Sequence, residues 1–437
     1  MAITEEHRRI RRRKSSSRID RISDLPDSIL CHILSFLPTK SSVATAILAR
    51  RWRFLWAYVT TLDFQYQNQE IIHRVMLQRR AHTLITFHLD YDTPCSSYQL
   101  ETWIAFATAR SVERLDLYLQ EQDSSDLGDL PPCLFTCKTL VELTLDTCGV
   151  IPLNASVYLP RLKKLRLIFV QYEADESLPE MLAGCPVLEE LEIELFDDMV
   201  CCDVSSPTVK RLALNFINER NGGRAGRLEI NTPALEYLLI NDYFLDHIKC
   251  GVLTSLVEAD ISLDIDCEIL YFRPLLRFFD KLCNVKCLEL NISNSGEVIN
   301  PLHSALTTSF RNLTELILDA DCRFLSKFLK AADNLETLIL YRHSMKSCKE
   351  LRGWMEPPQQ VPTCLSSHLR IVKFAYLHGR KHDFEIIRYL LRNARVLEMM
   401  EISYSVCLDS DAKVEILEKI TRFQRGSTSC EVDFIRS

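Results

Sequence analysis

From Leu84 onward the chain repeats a six-residue phrase, Leu-x-x-Leu-x-Leu, whose first, fourth and sixth positions are apolar. The copies are LITFHL from Leu84, VERLDL from Val112, LVELTL from Leu140, LKKLRL from Leu162, LEELEI from Leu188, VKRLAL from Val209 and LEYLLI from Leu235. They continue with LVEADI from Leu256, VKCLEL from Val285, LTELIL from Leu313, LETLIL from Leu335, LRIVKF from Leu369 and LEMMEI from Leu397. Each ends in the apolar/polar alternation of a half-buried strand. Between Val112 and Leu397 eleven steps cover 285 residues, roughly 26 per step, the period of a solenoid built from strand-containing repeats. A lone unit of this kind cannot bury its apolar side, but a stack of them makes one continuous core lined by a parallel sheet.

Proline-bearing or amide-bearing segments such as YLPRLKKL, GCPVLEEL, SSPTVKRL and NTPALEYL enter the strands. In the tighter steps they leave room for loop or 3₁₀ turns on the return path, whereas longer steps, such as that around Leu275 to Leu282, predict helices. After WMEPPQQVPTCL, a spacer too rich in proline for a helix or central strand, HDFEIIRYLLRNARVLEMMEI predicts a helix with Ile386, Ile387, Leu390 and Leu391 on one face, running into a strand. A further helix is predicted near Lys413 to Phe423. The tail reads as a cap for the last repeat's open edge.

Ahead of the repeats, Ser23 to Phe64 has helical periodicity. Pro26 suits a first helical turn and Leu37-Pro38 a stop, giving a stripe of Ile29, Leu30, Ile33, Leu34 and Leu37. A second short helix is predicted over Ser41 to Ala49 with Ala44, Ile47 and Leu48 inward, and a third over Arg50 to Tyr58 with Trp52, Leu55 and Trp56 at i, i+3, i+4. Three short amphipathic helices make a poor independent fold. They either cap a larger domain or need a partner protein.

Composition narrows the class. The 437 residues can hold several domains or one elongated array. No apolar run of about 18 residues predicts a membrane span and no leader pattern is present, so a soluble intracellular chain, in the nucleus and/or cytoplasm, is expected. The seventeen cysteines are scattered and read as reduced, mostly buried small hydrophobes. The formal charge of −7 hides an asymmetry, because residues 1–18 carry seven Lys/Arg against Glu5 and Glu6 and leave the rest about −12. An acidic body argues against a nucleic-acid surface. The arm RRIRRRKSSSR from Arg8 reads as a solvated leader, a nuclear-import signal or a phosphate-seeking tail.

Candidate chemistry is sparse. Asn221-Gly222-Gly223-Arg224-Ala225-Gly226 lacks both the P-loop Lys-Ser/Thr and the spaced Rossmann glycines. Cys201-Cys202, Cys133/Cys137 and Cys283/Cys287 lack paired zinc-site spacing, and no cysteine sits in a recognisable nucleophile arrangement. His247 and His343 stand singly. No metal, no cofactor and no catalytic residues are expected.

LPDSILCHILSFLPTKSSVATAILARRWRFLW resembles the F-box, keeping Leu25-Pro26, Ile33-Leu34, Leu37-Pro38, Arg51-Trp52 and Leu55-Trp56; Leu48-Ala49-Arg50-Arg51-Trp52 stands where plant members often read Leu-Ser-Lys-Arg-Trp. The array, led in by VTTLDF from Val59, resembles the leucine-rich repeats of plant F-box proteins, with Cys148 of LVELTLDTCGV at the repeats' Asn/Cys position. The tail resembles the FBD domain at Trp354, Val361-Pro362, Cys364-Leu365, Asn393-Ala394, Leu397 and Ser429-Cys430-Glu431-Val432. The resemblance implies a basic arm at 1–18, an F-box at 19–64, an irregular leucine-rich-repeat solenoid with a curved parallel sheet at 65–353 and an α+β FBD cap at 354–437, an α/β chain overall. It implies a non-catalytic substrate receptor of a Skp/cullin/F-box ubiquitin ligase. The adaptor side would be drawn from Leu25, Pro26, Ile29, Leu30, Ile33, Leu34, Leu37, Pro38, Leu48, Trp52 and Leu55.

Alternation places the third and fifth residue of each phrase on the outward sheet face. On that face Lys164 and Arg166 should neutralise Glu190 and Glu192 on the next strand. The apolar exceptions Tyr237, Leu239, Ile317, Ile339 and Ile371 mark a candidate site for a protein substrate, unless a loop or the tail covers them. Two other classes stay open, an interaction scaffold that delivers nothing for degradation and a receptor for a small molecule.

Overall fold

The computed structural model describes residues 22, 24–120, 128–196, 201–217, 227–242, 247–264, 272–293, 308–320, 322–341 and 361–435. They fall into two compact units divided after Gln120. The basic arm, the glycine cluster at 221–226, the spacer from Trp354 to Gln360 and His343 lie outside the described residues, as does the side chain of His247.

The first unit opens with α1 (Asp27–Leu34). Pro26 holds φ at −55° just ahead of it and Asp27 sets a carboxylate in the first turn, where the helix dipole favours one. The helix ends at Leu34, earlier than the expected stop at Leu37-Pro38. Phe36 and Leu37 donate to the Ile33 and Leu34 carbonyls in a tightened i→i+3 turn, and Pro38 keeps Leu37 out of the helical region.

The second helix also differs from expectation. It is α2 (Thr39–Ala44), continued by a 3₁₀ turn over Thr45–Ile47, and Thr39 and Ser42 are its buried residues. Ala44, Ile47 and Leu48 face outward instead of inward. The polar face turns in because Thr39 Oγ1 accepts the Asp63 amide at 2.8 Å, satisfying a backbone donor that helix packing would otherwise bury. A 3₁₀ helix over Arg50–Tyr58 follows, burying Trp52, Leu55 and Trp56 as its spacing predicts. Beyond it come β1 (Thr61–Gln65), α3 (Gln69–Gln78), β2 (Thr86–Tyr91), α4 (Ser97–Thr108) and β3 (Arg114–Leu119). The three strands run parallel in unbroken register, and both helices begin at side-chain caps, Asn68 for α3 and a Ser96/Gln99 capping box for α4.

The second unit is a ladder of repeats. It begins with α5 (Pro132–Phe135), β4 (Glu142–Asp146), β5 (Val150–Ile151), β6 (Lys164–Ile168), β7 (Gln171–Tyr172) and α6 (Ser177–Ala183). Next come β8 (Glu190–Phe196), β9 (Cys201–Ser205), β10 (Arg211–Ile217), β11 (Arg227–Asn231), β12 (Tyr237–Asp242), β13 (His247–Cys250) and β14 (Glu258–Asp264). Then follow α7 (Phe272–Lys281), β15 (Cys287–Ser293), β16 (Glu315–Asp319), α8 (Cys322–Ala331), β17 (Thr337–Tyr341) and α9 (Thr363–Ser367). The unit closes with β18 (Ile371–Leu377), α10 (Lys381–Asn393), β19 (Met399–Tyr404), α11 (Ser410–Thr421) and β20 (Glu431–Ile435).

Every six-residue phrase is a strand of a parallel sheet, and from β4 to β19 the third positions stay level: Glu142, Lys164, Glu190, Arg211, Tyr237, Glu258, Cys287, Glu315, Thr337, Ile371 and Met399. Fourth and sixth positions are buried throughout, as in Leu165/Leu167, Leu212/Leu214, Leu316/Leu318 and Met400/Ile402. Register cannot slip, since one residue of shift would carry a whole column of leucines into water.

The return paths depart from expectation between Leu188 and Leu256. β9, β11 and β13 pair in parallel as a second sheet where loop or 3₁₀ was expected, and β5 and β7 pair likewise. Cys202, Val204, Leu228 and Ile230 alternate inward along those strands, so a short step can bury apolar side chains on its return without a helix. The longer step from Leu256 to Val285 holds α7 as expected, but the 22-residue step from Leu313 to Leu335 holds α8 where loop or 3₁₀ was expected, its return path burying Phe324, Leu325, Phe328 and Leu329 on one helical face. In the tail, β19 and β20 prolong the ladder, with α10 burying Ile386, Ile387, Leu390 and Leu391.

Candidate recognition surfaces

The N-terminal module completes its own core. Leu30 and Leu34 are 0% and 1% exposed and cluster with Trp52, Leu55 and Val59, against which Leu25 and Cys31 pack. The five apolar residues of the α1 stripe therefore divide. Leu30 and Leu34 look inward, while Ile29, Ile33 and Leu37 stay exposed. Of the expected adaptor-side residues, Leu30, Leu34, Trp52 and Leu55 are interior packing groups. Pro26 is exposed, and Leu25 and Pro38 are half-buried.

The surface also holds apolar residues that the stripe does not contain. Ile47 is 88% exposed, Leu48 65% and Phe36 75%, and the Phe36 ring meets His32 edge-on at 4.9 Å. Burying a large aliphatic or aromatic side chain is worth about 1.5–3 kcal/mol, so leaving several on one small module forgoes much stabilisation unless another protein covers them. Phe36 was legible as an apolar residue three past Ile33, but the expected helical stripe did not include it.

On the second unit the face positions form rows that cross the strands. One row runs Ala213, Leu239, Asp260, Glu289, Ile317, Ile339, Lys373, Glu401. Ile317 and Ile339 are direct neighbours, with Ile371 one strand further along and level with Thr337. Tyr237 and Leu239 are separated from that group by β14 and β15. All five are half-buried. The guanidinium of Arg211 lies 4.1 Å above the Tyr237 ring, a cation–π contact that fixes the ring on the sheet.

The expected neutralisation is present. Lys164 Nζ is 2.9 Å from Glu190 and Arg166 Nε is 2.7 Å from Glu192, and further along Lys373 Nζ is 2.7 Å from Glu401. Between those regions Glu258, Asp260, Glu289 and Glu315 gather on three consecutive strands. Burial, then Glu258, raises the Asp260 carboxyl above the ordinary range; burial, then Asp260 and Glu258, does the same to Glu289. The sequence carried this signal as three successive phrases with acids but no base at positions three and five.

Among the described residues no group of His, Cys, Asp and Glu is arranged to hold a metal ion, and no helix is long and apolar enough to cross a membrane. Cys148 is fully buried and its Sγ reaches the Asp146 carbonyl at 3.1 Å, a turn-closing contact inside the repeat.

Residues 22–61 match the F-box domain model, residues 100–260 the model described as FBD-associated F-box protein At5g56370, LRR repeats, and residues 356–402 the FBD model. The chain is 31% identical over 439 residues to the F-box/FBD/LRR-repeat protein At4g26340 of Arabidopsis thaliana, spanning 95% of this chain and 100% of that one. It is likewise 31% identical to two other proteins of that plant, F-box/FBD/LRR-repeat proteins At4g00160 (95% of this chain, 94% of the relative) and At3g26920 (97% and 98%).

Proposed function

The chain belongs to the F-box/FBD/LRR-repeat family, and we propose that it is the substrate-recognition subunit of a Skp/cullin/F-box ubiquitin ligase. Its F-box engages a Skp-type adaptor and, through it, the cullin. Its leucine-rich repeats hold the protein to be marked. The observation that carries this reading is the module whose core is already complete and which still exposes Ile29, Ile33, Phe36, Leu37, Ile47 and Leu48. Such a surface is what a helical partner needs, and an F-box domain implies a Skp-type adaptor as that partner.

The chain's part in the chemistry is proximity. A substrate held in the complex presents its lysine to a ubiquitin-charged enzyme at high effective concentration, and no atom of this chain takes part in bond making. The substrate docks on the second half of the ladder face, over Tyr237, Leu239, Ile317, Ile339 and Ile371.

The experiment is an affinity capture from plant extract that compares the intact chain with two variants. Leu25→Ala with Pro26→Ala should lose the adaptor and cullin while retaining substrate. Tyr237→Ala with Ile317→Ser should lose substrate while retaining the adaptor. Equal adaptor recovery from all three chains would overturn the reading.

A further inference from the structure

On either side of β14 to β16 the ladder face carries cation–carboxylate pairs that run strand to strand, Lys164–Glu190, Arg166–Glu192 and Lys373–Glu401. β14, β15 and β16 break that pattern. Register sets Glu258, Cys287 and Glu315 at one level and Asp260 and Glu289 at the next, and none of the four carboxylates is ion-paired among the described residues. Their fields converge on Cys287, whose thiol is pushed up to about 11 by burial first and then by Glu315, Glu258, Glu289 and Asp260. A half-buried face that gathers like charges is destabilising by itself, so it favours an occupant of opposite sign.

Apolar groups bound this acidic strip on both sides, Leu239 on β12 and Ile317 with Ile339 on β16 and β17. With strands about 4.8 Å apart, Leu239 and Ile317 are roughly 14 Å apart across the strip. An extended peptide advances about 3.4 Å per residue, so four residues span that distance with alternate side chains directed at the face.

We propose that this face binds an extended segment of the target protein of the form apolar-x-basic-x-apolar, its lysine or arginine seated between Asp260 and Glu289 and its apolar residues on Leu239 and Ile317. The inference rests on the substrate-receptor reading and adds the chemistry of the segment it takes. Charge complementarity selects the central residue and the two apolar borders set the spacing. An acidic or purely apolar segment meets the wrong field or leaves the carboxylates uncovered.

The test is selection from a random twelve-residue peptide library displayed on phage, using the full chain as bait. The leading peptide is then measured by fluorescence anisotropy. Selected peptides should be enriched in a lysine or arginine two residues from apolar side chains on both sides. Asp260→Asn with Glu289→Gln should weaken binding about tenfold or more, as should Ile317→Ser, whereas Glu415→Gln with Glu418→Gln on α11 changes net charge equally and should leave it within about twofold. No selected peptide, no basic enrichment, or equal weakening in the α11 control overturns the proposal. Adaptor capture by the same preparations scores the receptor reading separately, so either can fail alone.

Discussion

Arg51, on the 3₁₀ helix over Arg50–Tyr58, clamps Asp27 at the start of α1. Its Nε and Nη2 donate to Asp27 Oδ1 at 2.8 and 2.6 Å, and Nη2 also donates to the Leu25 carbonyl at 2.5 Å. The side chains are 39% and 65% exposed, so the ion pair itself is worth little in water. Its consequence is positional, since it fixes Leu25 and Pro26 relative to the exposed helix face. Arg51→Ala should lower stability by no more than about 1 kcal/mol in urea unfolding, yet weaken adaptor capture several-fold.

The division of the helical module into core and surface makes opposite demands on two substitutions. Leu30→Ala removes a fully buried side chain and should destabilise by about 2–5 kcal/mol. Ile47→Asp with Leu48→Asp touches exposed positions and should leave the melting temperature nearly unchanged while abolishing adaptor binding. Isothermal titration with a purified Skp-type adaptor separates the two effects.

The Asp260 and Glu289 carboxyls carry a pH signature. Because their folded values are raised, the folded chain binds protons more readily than the unfolded one. The resulting stabilisation is full below the ordinary carboxylate range and is lost as pH rises through the raised values. At neutral pH the wild-type chain therefore lacks it, and Asp260→Asn with Glu289→Gln should raise the melting temperature by about 1–2 °C there. Thermal melts repeated near about pH 4 should show that gain shrinking away.

Tyr172 on β7 has a buried hydroxyl with no hydrogen-bond partner among the described residues, and burial raises its ionisation well above the ordinary tyrosine value. An orphaned buried donor is destabilising, so Tyr172→Phe should be neutral or should stabilise by about 1 kcal/mol in chemical denaturation. A loss of more than that would mean the hydroxyl is in fact partnered.

Gly379 follows β18 with φ at +73°, and a Cβ there would stand 2.7 Å from the Ile416 Cδ1 of α11. The methyl end of Ile416 can yield, but left-handed backbone disfavours any side chain. Gly379→Ala should cost roughly 1–2 kcal/mol. Hydrogen exchange should locate the loosening in α11.

The ladder was legible because its signal is redundant. Leu165 is identified as a core residue by its own phrase and again by its register with Leu143 and Leu191. Single-copy features were harder. The helical stripe could not say that Ile33 looks outward and Leu34 inward, because on a short helix each is an equally good knob and the neighbouring 3₁₀ helix decides. The second sheet of β9, β11 and β13 was hidden for a related reason, since Cys-Cys-Asp-Val and Arg-Leu-Glu-Ile alternate too briefly to announce strands until three of them stack. The inversion of α2 turned on one hydroxyl, Thr39, answering one distant amide. Of the candidate substrate residues, individual outward positions could be read from alternation, but the acidic strip between them emerges only when rows are read across strands.

Level register has an evolutionary corollary. Excising residues 211 to 236 would set Tyr237 against Glu190 and Leu239 against Glu192, where Arg211 and Ala213 now stand. The buried leucines would meet equivalent leucines and the stack would close over the gap. Unequal recombination between repeats would thus exchange a whole row of outward residues in a single step while leaving the buried columns matched.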